Sequence, residues 1–368
     1  MSGGSRLLRA LNQISEAVLG AVEESLAQVE GEEVRAKFIE GLSGRMPGVF
    51  DEAAERLVVD LFESAPAMLA DYEMLEDASN AAVAERWRAA FGTYRMLWVC
   101  CYENGEAFSL RHFNVDGYEP PPMLHAQIGL QARACRVALE VFALLRGGLG
   151  AGALARARTL HEIAVTSGIL AKYGAPDGDH PDLAERYLLH ANVVTWLDAK
   201  EYQEVAPKLG FGPFTEGEMA EMRADRDNVV GTYGEPFGRT NGWAACLMEN
   251  GKAPIGFKAL ELLAGADHMR SYYSLASHEV HADAKSWLTN HETIGDVTFR
   301  STGPSPRGMA DAGQIALISL NQVTVNTMNA SPDIDERPGD ILAILVLNRL
   351  VQRACDEFAA AGDVGGGK

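Results

Sequence analysis

Apolar residues recur every three or four positions along nearly the whole of this 368-residue chain, and period-two alternation is almost absent. That pattern constrains the fold more than any other feature. A helix buries one stripe of its surface, so a chain of such stripes must pack helix on helix. From Leu7 to Val29 the stripe is Leu7, Leu8, Leu11, Ile14, Val18, Val22, Leu26 and Val29, with Glu16, Glu23 and Glu24 on the faces between. The spacing predicts a second helix over 32–42, stopped by Gly44 and Pro47. A third starts at Asp51 as its cap, with Glu52 and Glu55 in the first turn where the helix dipole favours them, and Pro66 interrupts the turn after residue 63.

Trp87, Phe91, Tyr94, Leu97 and Trp98 then form an aromatic stripe over 83–102, spaced as the buried face of a long helix rather than as a cofactor box. Asn104, Gly105 and the three prolines 120–122 mark a break. Helices are expected over 123–145 and 153–172, joined by the glycine-rich stretch 148–152. This stretch follows a helix, not a strand, and lacks GxGxxG, so it reads as a turn between antiparallel helices and not as a phosphate cradle. Further helical signals cover 182–202, 215–230, 257–285, 310–328 and 340–360. One hairpin fits, at 293–301, turning at Gly295 and Asp296. The fold class is all-α: a multi-helix bundle of antiparallel helices with a small N-terminal helical subdomain and one short hairpin. The divisions expected are an acidic helical region over 1–80, a main helical domain over 81–362 and a flexible tail over 363–368.

Charge narrows the function classes. The chain holds 51 acidic and 32 basic side chains, a net of −19, and residues 1–90 alone hold 17 acidic against 8 basic. A bulk nucleic-acid coat needs clustered Lys and Arg for counterion release, so this composition argues against one. The exception is residues 121–170, where Arg133, Arg136, Arg146, Arg156 and Arg158 face only Glu140 and Glu162. A local basic surface of that kind can attract phosphate, although solvated arginines explain the count equally well. Residues 1–9 have no apolar core of signal-peptide length, and no apolar run approaches the ~18–20 residues of a spanning helix. Five cysteines, Cys100, Cys101, Cys135, Cys246 and Cys355, with no CxxC, point to free thiols in a reducing compartment. A cytoplasmic location without membrane attachment is the expectation.

Three clusters set polar residues into helical stretches. In Arg158-Thr159-Leu160-His161-Glu162, the arginine and Glu162 are i and i+4 and share a face, with His161 beside it. The cluster reads either as an ion pair that fixes how two helices meet or as an arginine for an anionic group, oriented by Glu162. The second is Arg270, Tyr273, Ser277, His278 and His281. Tyr273, Ser277 and His281 follow at i+4 intervals on one face, with Arg270 a turn earlier. His278 and His281 at i and i+3 fit neither HExxH nor a Cys/His finger, so no metal and no cofactor is expected. The third, Glu185-Arg186-Tyr187 with His190, reads as solvated helix surface.

Taken in order, Arg158-Thr159-Leu160-His161-Glu162, Glu185-Arg186-Tyr187, Asn241-Gly242-Trp243 and Tyr273-x3-Ser277-x3-His281 resemble the DUF5677 family of bacterial proteins, over about residues 120–290. The resemblance implies an all-α domain in which Arg158, Glu162, Ser277 and His281 converge on one polar site, and it supplies no reaction. A fainter likeness is to the HEPN helical ribonucleases, often toxins or phage-defence effectors, whose motif leaves four to six residues between an Arg and a His. Here Arg270 to His278 leaves seven, Arg270 to His281 ten and Arg158 to His161 two, so the motif is not matched.

The residues favour a partner-binding or regulatory module in which the acidic N-terminal helices cover a basic partner. The alternative is a metal-independent ribonuclease or phosphodiesterase. In it His281 is the general acid or base, Arg158 stabilises phosphate charge with Glu162, Ser277 and Tyr273 orient, and His161, Arg270 and His278 hold the substrate. The partner is accordingly a protein or RNA, and self-association stays open.

Overall fold

The computed structural model describes residues 6–113, 117–248, 255–281, 284–285, 291–294, 297–300 and 302–363. The tail expected at 363–368 lies, apart from Asp363, outside the described residues, as does the hairpin turn at Gly295 and Asp296. The chain divides into two compact units, Met1–Ala78 and Ser79–Lys368. Among the described residues no helix is long and apolar enough to cross a membrane, and all five cysteines are free.

In the first unit α1 spans Arg6–Ala27, and a short link with Gly31 at φ +98° leads into α2, Glu32–Arg86, which continues into the second unit. The expected stops at Gly44, Pro47 and Pro66 do not end the helix, and Asp51 lies inside it instead of capping a new one. Each proline withdraws one donor from the ladder, while the bonds of the turns before and after it remain, so the helix runs through both.

The core of the second unit is built from α3 (Arg88–Phe113), α4 (Pro122–Arg146), α5 (Gly150–Tyr173), α10 (Met309–Asn329) and α11 (Pro338–Asp363). Helix α10 packs on α3, α4, α5 and α11. Close approach to α11 depends on Gly313, where a Cβ would lie 2.3 Å from the ring of Phe358. The aromatic stripe is buried as the spacing requires: Trp87, Phe91 and Tyr94 surround Phe358, with ring centroids 5.7, 6.4 and 6.2 Å away. The break expected at Asn104 and Gly105 is absent, and α3 continues to Phe113. Gly105 serves close approach there, since a Cβ would meet the Gln131 side chain of α4 at 3.0 Å.

Buried amides and hydroxyls tie the bundle together. Gln131 Nε2 donates to the Cys101 carbonyl at 3.0 Å and to Thr324 Oγ1 at 3.1 Å. Gln127 donates to the Ser167 carbonyl at 3.0 Å and accepts from Ser167 Oγ at 2.7 Å. The turn between α4 and α5 needs its glycines. Gly148 sits at φ +68°, and a Cβ on Gly150 would lie 2.0 Å from the Arg307 carbonyl. No side chain fits where the 305–309 segment crosses this turn.

Helix α6 (Leu183–Leu209) packs on α4 and α7 (Glu216–Tyr233) packs on α6, followed by 3₁₀ turns at Glu235–Gly238 and Gly242–Leu247. Thr215 and Glu218 make a reciprocal capping box at the start of α7. Short helices α8 (Phe257–Ala264) and α9 (Arg270–His278) pack on α5. Strands β1 (His291–Ile294) and β2 (Val297–Arg300) pair antiparallel, giving the expected hairpin.

Candidate functional site

The helix expected over 257–285 is two helices, and the break between them creates the site. Gly265 adopts φ +70°, and the next amide, Ala266 N–H, reaches back to the Glu261 carbonyl at 2.8 Å. This is a glycine-terminated helix end, in which only a residue free of Cβ strain takes the left-handed position. The chain then turns through Asp267–Met269 and returns as α9, so Glu261 of α8 and Arg270 of α9 meet over α5.

Helix α5 contributes Arg158, His161 and Glu162. Arg158 donates to Tyr273 Oη at 2.6 Å and pairs with Glu162 at 3.2 Å, while Tyr273 Oη donates to Glu162 Oε1 at 2.9 Å. Burial raises the Tyr273 pKa above its usual value, which keeps the phenol protonated and donating. The Arg158 and Arg270 guanidinium carbons lie 4.6 and 5.0 Å from the Tyr273 ring centroid, and Phe257 stacks on the same ring at 4.5 Å. Arg270 donates to Glu261 Oε2 at 2.7 Å, and the Glu261 side chain is 0% exposed.

His161 Nε2 lies 3.2 Å from Glu261 Oε1 with its side chain 3% exposed. Burial lowers the His161 pKa, outweighing the opposing pull of Glu261, so at neutral pH the ring is uncharged and the contact is a hydrogen bond. The neutral tautomer assigned by that bond carries its proton on Nε2, leaving Nδ1 buried without a partner, as Arg158 Nε also is.

The structure thus brings together Arg158, His161, Glu162, Arg270 and Tyr273. The remaining sequence candidates are placed along and after α9. Ser277 Oγ donates to the Tyr273 carbonyl of its own helix at 2.8 Å. His278 is the last residue of α9, and His281 lies three positions beyond, exposed. The single helical face expected for Tyr273, Ser277 and His281 therefore ends early. Glu279 N–H shifts to the Ala276 carbonyl and Val280 N–H to the Ser277 carbonyl, each at 3.2 Å, which loosens the helix end, although His281 N–H still reaches the Ser277 carbonyl at 3.2 Å. Sequence reasoning missed Glu261 and Phe257. The signal for Glu261 was present: one acid stands alone within Ala259-Leu260-Glu261-Leu262-Leu263.

The third cluster is solvated surface only at Glu185. Tyr187 packs edge-on against Trp243 at 5.3 Å, and Arg186 lies over the Tyr233 ring at 4.3 Å. His190 is buried, with Nε2 donating to the Arg239 carbonyl at 3.0 Å. Asn241 holds φ 57° and donates to the Ile255 carbonyl at 2.8 Å, and a Cβ on Gly242 would meet the Phe237 carbonyl at 2.2 Å. Asn241-Gly242-Trp243 is thus a folded corner that α6 closes. Sequence spacing could not reveal this, because the burial comes from a segment some fifty residues away.

Residues 125–295 match DUF5677, a family of unknown function. No curated protein and no solved structure matches the chain. The DUF5677 segment holds both polar corners and α5, but not α10, which packs on α5. Among the described residues no group of three or more His, Cys, Asp or Glu side chains is placed to hold a metal ion.

Proposed function

We propose that this chain is a cytoplasmic partner-binding or regulatory protein, and that its Arg/Glu/Tyr cluster is a lock holding α8 and α9 on α5. One observation carries the reading. Both guanidinium groups already meet carboxylates of the same chain, Arg158 with Glu162 at 3.2 Å and Arg270 with Glu261 at 2.7 Å. A phosphoryl-transfer site keeps such donors aimed at the place where substrate charge develops. Charged networks anchored on a buried carboxylate, as this one is on Glu261, also serve to fix one packing of the elements they join.

A second reading has an observation of its own. Glu261 Oε1 accepts a hydrogen bond from His161 Nε2–H and leaves Nδ1 bare, the order of a general base backed by an orienting carboxylate. It favours the ribonuclease or phosphodiesterase alternative, with His161 in the place first given to His281. Against it stands access, since the His161 side chain is almost wholly enclosed.

The test is induction of wild type, His161→Gln and Arg158→Ala in a bacterial host, with soluble protein and total RNA measured. Intact RNA in all three, with less soluble Arg158→Ala, is the expected result. RNA loss with wild type that vanishes in soluble His161→Gln overturns the lock and establishes the nuclease.

A further inference from the structure

We infer that α2, between residues 51 and 78, carries a docking surface for a cationic amphipathic helix of a partner protein. The inference rests on the partner-binding reading above and adds a place and a partner chemistry to it.

The first observation is uncovered apolar area. At about 1.5 Å per residue α1 is about 33 Å long, while residues 32–78 of α2 run about 70 Å. Even laid full length along α2, α1 reaches less than half of that stretch. Val58, Phe62, Leu69 and Tyr72 are each more than half exposed, and Phe62 is 76% exposed. At 100° per residue these four fall within about 80° of arc and make one row, while Val59, Met74 and Leu75, also exposed, lie elsewhere around the helix. Isolated surface apolar residues need no explanation, whereas an aligned row of large ones marks an interaction face.

The second observation is the charge that edges the stripe. Residues 51–78 hold nine acidic side chains and one basic. Asp51, Glu55, Glu73 and Glu76 lie on or just beside the apolar arc, all exposed. Arg56, the single cation, falls on the far side and pairs with Glu52 at 3.7 Å. An apolar seam flanked only by carboxylates is complementary to a helix with the same seam flanked by Lys or Arg. A second copy of this chain would set carboxylates against carboxylates across a symmetric interface. Anionic lipid and RNA are repelled by the same charge.

The probe is a labelled Leu/Lys peptide of about three heptads with leucines at helical spacing, titrated into the full chain by fluorescence anisotropy at low and physiological salt. Two controls share its length: a Leu/Lys scramble that destroys the period, and a Leu/Glu peptide that keeps it. The periodic Leu/Lys peptide should bind, and both controls should bind at least about tenfold more weakly. The double variant Phe62→Ser/Leu69→Ser should lose about tenfold or more in affinity with its far-ultraviolet circular dichroism unchanged, as expected for central apolar anchors. Glu55→Gln/Glu73→Gln should bind more weakly and with a flatter salt dependence.

Equal binding of the scramble, or undiminished binding by the double serine variant, overturns the inference. So does a dimer in sedimentation velocity that Phe62→Ser/Leu69→Ser turns into monomer, since the face then belongs to a second copy. These outcomes separate from the reading beneath. RNA loss with unimpaired peptide binding removes the structural lock and leaves the surface, whereas failed peptide binding with intact RNA removes the surface alone.

Discussion

Phe358 and Phe62 are both phenylalanines on long helices, and they meet opposite surroundings. Phe358 is fully enclosed by Trp87, Phe91 and Tyr94, while Phe62 is mostly exposed. The same contrast runs through the polar groups. In the second unit the buried carboxylate of Glu261 has Arg270 and His161 against it, whereas the carboxylates of residues 51–78 stand almost without cations. The difference teaches that helical periodicity identifies a stripe in need of a partner without saying whether the partner lies in the same chain. For α10 and α11 it does. For residues 51–78 of α2 the stripe stays open.

The harshest way to break the comparison is to give the second unit an open stripe too. Ending the chain after residue 295 keeps the whole DUF5677 match but removes α10 and α11, and so uncovers the face of α5 that packs on α10. Loss of a cooperative thermal transition, with dye binding to exposed apolar surface, is the expected outcome in calorimetry and fluorescence. A sharp transition of the second unit in the shortened chain would mean that α5 needs no cover from α10.

Next in size are the charged groups. Arg270→Ala leaves Glu261 as a buried carboxylate with no cation, which should cost about 3–5 kcal/mol in denaturant unfolding. Adding Glu261→Gln should recover part of that loss, because the uncompensated charge is gone. Arg158→Ala should cost less, about 1 kcal/mol, since the Glu162 side chain is 37% exposed and water replaces the guanidinium. Equal losses for the two arginines would show that burial does not set their weight.

Most of this architecture was legible in the residues. The helical class, the aromatic core face, the α4–α5 turn and the Arg158–Glu162 pair all follow from local spacing, because each depends on neighbours within a turn or two. What was not legible depends on distant segments. Pro47 and Pro66 look like stops, yet the helix accommodates each lost bond and ring clash and runs on. Gly105 looks like a breaker until Gln131 of α4 is placed against it. The i+4 row Tyr273, Ser277, His281 assumes a helix that in fact ends at His278. Glu261 joins the cluster through the Gly265 turn, which no periodic pattern anticipates.

The pH response separates the units more gently. Burial lowers the pKa of His112, His161 and His190, all in the second unit, below their usual value of 6.5. Below pH 6.5 the unfolded chain takes up protons at these rings that the folded chain refuses, so unfolding is favoured as pH falls. Their stabilisation is complete above about pH 6.5 and is lost as pH drops through 6.5 toward each folded pKa. The melting temperature of the second unit should therefore decline from about pH 7 to about pH 5. His190→Gln, which keeps a donor for the Arg239 carbonyl, should flatten part of that slope. A slope unchanged by this substitution would assign the effect to other groups.

The smallest expected effect is the sharpest test of the contrast. Phe62→Ser removes a large aromatic side chain, and in a core such a change costs about 3–5 kcal/mol when the ring is cut back to a small residue. That cost comes from lost apolar burial and from the cavity left behind, and an exposed ring supplies neither. The ring of Phe62 is mostly in water in the folded chain and fully in water in the unfolded one, so little apolar transfer is forfeited. What remains is helix propensity, in which Ser and Phe are close. Phe62→Ser should thus stay within about 0.5 kcal/mol of wild type in denaturant unfolding, while Phe358→Ala falls by several. A loss at Phe62 approaching that at Phe358 would mean that the α2 stripe is already covered in the free protein, and the open face would have to be given up.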